Sequence, residues 1–278
     1  MFCKSILFRG NVVVKKLVGM LMALLVFFSI SSTTEAADSR LFVKWDDSTL
    51  VDGQIGRVTL VKDAVLFKME NGSLKKTNLL RTAGNKYRIY GFSGSGNYQY
   101  LAVGGGYYLH NTTATTYETP SSAKKRQLEL VIDDSIISSG LRTLIEKGKL
   151  PRTPLDVNTS TMYDMREMFG KPVSQGYNPF GSYGFDYGKF NYSTNYFRNG
   201  ESGDLVSIQY EFHPDYVITP AQIKQRIGTT GLYNDGISEK DGIYHLNYQI
   251  GNYQLWFHYD DKEGKSLRFI AVVDKRTR

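Results

Sequence analysis

Two stretches of this chain, 58 residues apart, follow one plan: residues 161–170 (TMYDMREMFG) and 219–228 (TPAQIKQRIG). In each, a threonine stands at the N-cap position, apolar residues fall at helical spacing (Met165 and Phe169, Ile223 and Ile227), and a glycine follows the last turn. Threonine accepts a hydrogen bond from an early helical N–H, and glycine takes the left-handed conformation that ends a helix. Both stretches lead into aromatic-rich segments of alternating polarity. The first are residues 184–190 (GFDYGKF) and 205–212 (LVSIQYEF); the second are 244–250 (YHLNYQI), 253–259 (YQLWFHY) and 267–273 (LRFIAVV). Period-two alternation marks strands with one buried face. Helix then antiparallel sheet, twice over, predicts a duplicated α+β domain over residues 155–278, with copies at about 155–214 and 215–278.

The rest of the chain divides into shorter zones. Residues 1–36 read as a secretory signal peptide: Lys4, Arg9, Lys15 and Lys16 precede an uncharged run of 14 residues, Leu17 to Ile30, and Ala36 offers a cleavage site. That run is shorter than the roughly 20 residues a spanning helix needs, although a retained anchor is the alternative. Residues 37–51 form an N-terminal arm. Residues 52–120 carry short β-rich runs, including 56–61 (GRVTLV), 64–68 (AVLFK), 86–90 (KYRIY), 98–103 (YQYLAV) and 104–109 (GGGYYL), the last read as one strand with a glycine kink. Asn71-Gly72 is a strong hairpin signal. A small, strongly bent all-β barrel is expected there. Residues 121–154 are a helical connector, one helix or two with a break near Ser138-Ser139-Gly140, followed by an extended linker at 150–154.

Charge and cysteine count exclude whole classes. Removing residues 1–36 leaves 30 basic and 26 acidic side chains, a formal charge of +4, which makes no case for nucleic-acid binding. The one cysteine, Cys3, goes with the leader. The mature chain then has no thiolate chemistry and no cysteine-ligated metal. No cofactor and no metal site is expected, and no membrane contact after cleavage.

Candidate chemistry is sparse. Of four histidines, His110 lies in a loop, His213 precedes Pro214, and His245 and His258 sit on strands. None has a helical metal-binding spacing. His258 with Asp260 and Asp261 is the best acid–base set, and an ordinary half-exposed strand position explains His258 more simply. The glycine runs at 91–96 and 104–106 open no helix and so present no phosphate-binding dipole. What stands out is aromatic content, with 20 tyrosines. Many are core or cross-strand residues. Tyr98, Tyr100, Tyr107 and Tyr108 flank the barrel's glycine loops, and Tyr177, Phe180 and Tyr183 sit among Gly, Asn and Ser. An exposed tyrosine offers a flat apolar face and a hydrogen-bonding tip, suited to sugars or peptides. These seven are the candidate ligand-binding residues.

Phe169-Gly-Lys-Pro172, Ile227-Gly228, and Tyr248 with Gly251-Asn-Tyr-Gln-Leu-Trp-Phe257 resemble the YjgB-like family of secreted bacterial proteins, over roughly residues 136–274. The second copy departs from the pattern, with Thr229 in place of the lysine-proline step. The resemblance implies an extracellular, non-catalytic module. Gly56-Arg-Val, Lys86 to Tyr90, and Val103-Gly-Gly-Gly-Tyr-Tyr108 resemble bacterial SH3-like domains, which implies binding to cell-wall glycan or peptide. The expectation is thus a secreted, wall-associated, non-enzymatic binding protein of a Gram-positive bacterium. Its rivals are a secreted inhibitor or assembly factor gripping a secreted or surface protein, and a wall hydrolase built on His258, Asp260 or Asp261.

Overall fold

A computed structural model describes residues 41–94, 100–112, 114–177, 182–195 and 203–275. The expected leader, Tyr98 and Phe180 lie outside the described residues. Among the described residues no helix is long and apolar enough to cross a membrane.

The last part of the expected N-terminal arm is a hairpin. Strand β1 (Phe42–Trp45) pairs with β2 (Ser48–Val51) across a tight turn. Val43, Trp45 and Leu50 point to one side, where they meet Leu128, Val131 and Ile132 of helix α1 (Ser122–Ile136). That burial is what makes the arm a strand pair. Ser121 caps α1 by accepting a hydrogen bond from the Lys124 amide.

Eight strands follow the hairpin: β3 (Gly56–Leu60), β4 (Ala64–Glu70), β5 (Ser73–Arg81), β6 (Lys86–Ile89), β7 (Gly91–Ser93), β8 (Tyr100–Gly104), β9 (Tyr107–His110) and β10 (Thr115–Glu118). They form two open sheets, ordered β10-β3-β6 and β5-β4-β9-β8-β7. One shared core of Val58, Leu60, Leu66, Ile89, Leu101 and Leu109 holds them. Asn71 and Gly72 take φ of 49° and 75°, both positive as a type I′ hairpin turn requires. One sequence expectation needs correction. Residues 104–109 are not a kinked strand: β8 ends at Gly104, and a turn delivers the chain to β9 at Tyr107.

The second half is built around one sheet. After helix α2 (Leu141–Ile145) come α3 (Met162–Phe169), β11 (Ser174–Tyr177), β12 (Tyr183–Asp186), β13 (Phe190–Thr194) and β14 (Leu205–Glu211). Then α4 (Pro220–Ile227) leads to β15 (Leu232–Ile237), β16 (Tyr244–Ile250), β17 (Tyr253–Tyr259) and β18 (Leu267–Asp274). The sheet order is β11-β12-β13-β14-β18-β17-β16-β15, all antiparallel. Read outward from the β14–β18 seam, each half is four strands in reverse chain order. Both α3 and α4 begin with a complete capping box, Thr161 with Asp164 and Thr219 with Gln222. Residues 184–190, read as one strand, are two, because the chain turns at Gly188 (φ 83°) between β12 and β13.

One face of this sheet is the core. Phe185, Tyr192, Ile208, Phe257 and Ile270 meet Ile136, Leu141, Ile145, Met165 and Ile223 from the four helices. The expected linker belongs to this core too, since Leu150, Leu155 and Val157 are buried in it. At the entry to β15, Gly231 (φ 76°) lies so close to β16 that a Cβ would sit 2.2 Å from the Gln249 carbonyl oxygen. Only glycine fits there.

Candidate functional site

Among the described residues, no core cluster forms on the opposite face of the eight-stranded sheet. On β17, Gln254, Trp256 and His258 alternate with the fully buried Leu255, Phe257 and Tyr259. Period two therefore turns the first three outward. Register then aligns outward residues into rows across the strands. One row runs His245, His258, Phe269, Glu211 and a second runs Asn247, Trp256, Ala271, Gln209, Asn191.

Hydrogen bonds and ring contacts fix these side chains. His258 stacks on Phe269 with centroids 4.6 Å apart and meets His245 edge-on at 4.7 Å. Oε1 of Glu211 accepts from Asn191 Nδ2 at 3.1 Å and from Gln209 Nε2 at 3.2 Å. The Trp256 indole donates to Gln254 Oε1 at 3.2 Å. Beside it, Oδ1 of Asn247 is buried with no hydrogen-bond partner. The face is thus a pre-set arrangement of flat rings and amides carrying little charge. Groups of this kind recognise other polar, uncharged surfaces, through stacking and directional hydrogen bonds.

His258 is held for packing. Burial and the facing His245 push its pKa below the ordinary value, against weaker opposite effects of Asp241 and Asp260. Asp261 does not meet it. Its carboxylate accepts from the backbone N–H groups of Lys265 and Ser266, which fixes the turn between β17 and β18. Asp260 pairs with Arg268 at 3.6 Å. The three residues of the acid–base set therefore serve three different local structures.

The predicted aromatic residues within the described range divide between the five-stranded sheet and the β11–β12 edge of the eight-stranded sheet. On the five-stranded sheet, Leu66, Leu101 and Leu109 point to the core, so Phe67, Tyr100, Tyr108 and His110 point away from it. Tyr100 packs edge-to-face on Phe67 at 5.1 Å and lies 4.8 Å from His110, its cross-strand partner, which belongs to β9 and not to the loop expected from the sequence. Tyr108 pairs in register with Phe67. Tyr107 faces the other way and packs against the core, with Lys68 Nζ 5.8 Å from its ring. Tyr177 and Tyr183 form an edge-to-face pair at 4.9 Å across β11 and β12. Tyr177 is 65 % exposed, and Tyr183 leans on the core.

Sequence reading missed Phe67 and His110 as partners of Tyr100, because only strand register brings them together. It also passed over Trp256 and Phe269. Trp256 was within reach, since it alternates with Leu255 and Phe257.

No curated protein matches this chain. Among solved structures, YjgB of Bacillus subtilis subsp. subtilis str. 168, a DUF4309 family protein, aligns at 17 % identity over 51 % of this chain and 97 % of that one, with a TM-score of 0.40. An extracellular protein containing a SCP domain from Bacillus anthracis str. Ames aligns at 8 % identity over 47 % of this chain and 50 % of that one, with a TM-score of 0.32. A cysteine-rich secretory protein of Staphylococcus aureus subsp. aureus Mu50 aligns at 13 % identity, over 43 % and 44 % of the two chains, with a TM-score of 0.28. Residues 139–273 match the family described as "Domain of unknown function (DUF4309)", which places the YjgB-like resemblance on the helices and sheet of the second half.

Proposed function

We propose that this is an exported, wall-associated binding protein that works without catalysis. The observation that carries the reading is the ring cluster of Phe67, Tyr100 and His110, with Tyr108 beside it, on the outward face of the five-stranded sheet. Rings that hold one another in place lose little entropy when a sugar or peptide stacks on them. The leader-like residues 1–36 support export. Two small sheets on one six-residue core support the SH3-like reading of residues 52–120. Matched capping boxes and the mirrored strand order support duplication of residues 155–278.

The ligand on this reading is cell-wall glycan or peptide. The test is co-sedimentation of residues 37–278 with purified sacculi. The protein sediments, Tyr100→Ala/Tyr108→Ala sediments several-fold less, and no wall fragments are released. Absence of binding by the unaltered chain removes the reading.

A second reading is favoured by the Trp256 and Phe269 rows. The open face of the eight-stranded sheet would grip a secreted or surface protein, making this chain an inhibitor or assembly factor. Capture of such a protein from wall-free medium, lost in Trp256→Ala, supports it.

A further inference from the structure

A cleft of about 360 Å³ opens between the β1–β2 hairpin and the three-stranded sheet, lined by Ser48, Thr49, Arg57, Lys86, Arg88 and Tyr90 among others. Three of these side chains are cations, and their circumstances differ. Arg57 is buried and fully used. Its Nε and Nη2 donate to Glu118, Nη2 to Asp46, and Nη1 to Asp47, Ser48 Oγ and the Trp45 carbonyl. Lys86 pairs with Asp47. Arg88 stands directly opposite Arg57 in the β3–β6 register, and its Nη2 donates to Thr49 Oγ1 at 2.7 Å. Among the described residues, no carboxylate pairs with Arg88.

Like charges directly opposite on neighbouring strands are destabilising. The three acids around Arg57 and Lys86 bond to those two cations and none bonds to Arg88, whose charge they offset only at longer range. A guanidinium has five N–H donors in a planar fork matched to an oxyanion, and Arg88 spends one on Thr49. Because Thr49 Oγ1 accepts that bond, its own hydrogen remains to be donated. The volume is that of a small-molecule site, larger than a lone ion needs.

From this cleft we infer a binding site for a singly charged oxyanion, a carboxylate or a phosphodiester, carried on a body about the size of one sugar or amino-acid residue. Arg88 grips the anion through its unspent donors, Thr49 adds a hydroxyl, and Tyr90 borders the attached body. The site lies on a different surface from both ring clusters and stands or falls independently of the wall reading.

The test is an NMR titration of residues 37–278 at constant ionic strength, following the Arg88 Nε–Hε signal with dimethyl phosphate in one arm and acetate in the other. A saturable shift in either arm supports the site, and the stronger arm tells which oxyanion it takes. Arg88→Gln loses affinity by about tenfold or more, as expected for a charge-assisted fork, and Arg88→Lys falls between. Thermal melting guards against a folding artefact. Without probe, Arg88→Gln melts close to the unaltered protein, because losing the Thr49 bond and losing the charge that faces Arg57 oppose each other; with probe, only the unaltered protein gains. No saturable shift with either anion, or an undiminished response in Arg88→Gln, overturns the inference.

Discussion

The phenol of Tyr210 donates a 2.7 Å hydrogen bond to Oδ1 of Asp133, a carboxylate with no exposure to solvent. The His213 amide donates to Oδ2 at 2.7 Å, and Lys189 Nζ lies 3.6 Å from Oδ1. Asp133 sits on α1 and Tyr210 on β14, so one buried carboxylate ties the helix that holds the hairpin to the sheet of the second half. Burial and the neighbouring carboxylate push the Tyr210 phenol far up, so it remains a donor. Asp133→Ala leaves a buried hydroxyl and a backbone N–H without acceptors, and a loss of roughly 3 kcal/mol in urea unfolding is expected. Tyr210→Phe costs about 1–2 kcal/mol by the same measurement.

Arg57 does the corresponding work for the hairpin. Its guanidinium stands 4.5 Å over the Trp45 ring and binds acids from the hairpin turn and from β10. Arg57→Met removes that link and leaves Asp46, Asp47 and Glu118 close together. Hydrogen exchange of the amides at 42–51 accelerates, while those of the eight-stranded sheet keep their protection. Uniform acceleration through the whole chain contradicts this account.

The capping boxes give an additive prediction. Thr161→Ala and Thr219→Ala each remove a side-chain acceptor from the first turn of an eight-residue helix, costing about 1 kcal/mol apiece. The two helices share no cap partner, so the double variant loses the sum within a few tenths of a kcal/mol.

A pH dependence follows from His258. Its pKa in the folded chain is below the ordinary 6.5, first because of burial and then because His245 faces it. Between the folded and unfolded values the unfolded chain binds more protons, so stability rises with pH in that window. The contribution is complete above 6.5 and lost as pH falls through the folded value. The melting temperature therefore drops between pH ~7.5 and ~5.5, and His258→Phe, which keeps the stack on Phe269, drops less. Asp164, held low by its hydrogen bonds from Thr161, and Asp261, held low against a strong opposing desolvation by several backbone N–H groups together, lose their contributions only below the ordinary 3.8. Equal slopes for the two proteins would contradict the assignment to His258.

Local signals were legible wherever one side of an element is buried. The alternation in β16, β17 and β18, the threonine caps and the terminal glycines all report on an adjacent core, and the structure places elements there. The edge strand β11 escapes a local reading for the opposite reason: every one of its residues is exposed, so no alternation marks it. Residues 104–109 and 184–190 each resemble one strand in the sequence because a turn of one or two glycines leaves little trace between aromatic neighbours. The ring cluster around Tyr100 depends on register between β4, β8 and β9, which no local pattern specifies. The contrast between Arg57, bonded to three acids, and Arg88, bonded to Thr49, likewise needs the hairpin folded over β3 and β6.

In the proposed function, the outward ring cluster of the five-stranded sheet meets the wall. The most direct measurement is a sacculus binding isotherm for three proteins: residues 37–278 unaltered, with Phe67→Ala/Tyr100→Ala, and with Trp256→Ala. Saturable binding is expected, weakened about tenfold by the first variant through loss of two stacking rings and unchanged by the second. Binding that survives the loss of Phe67 and Tyr100 but falls with Trp256 contradicts it and moves the contact to the eight-stranded sheet.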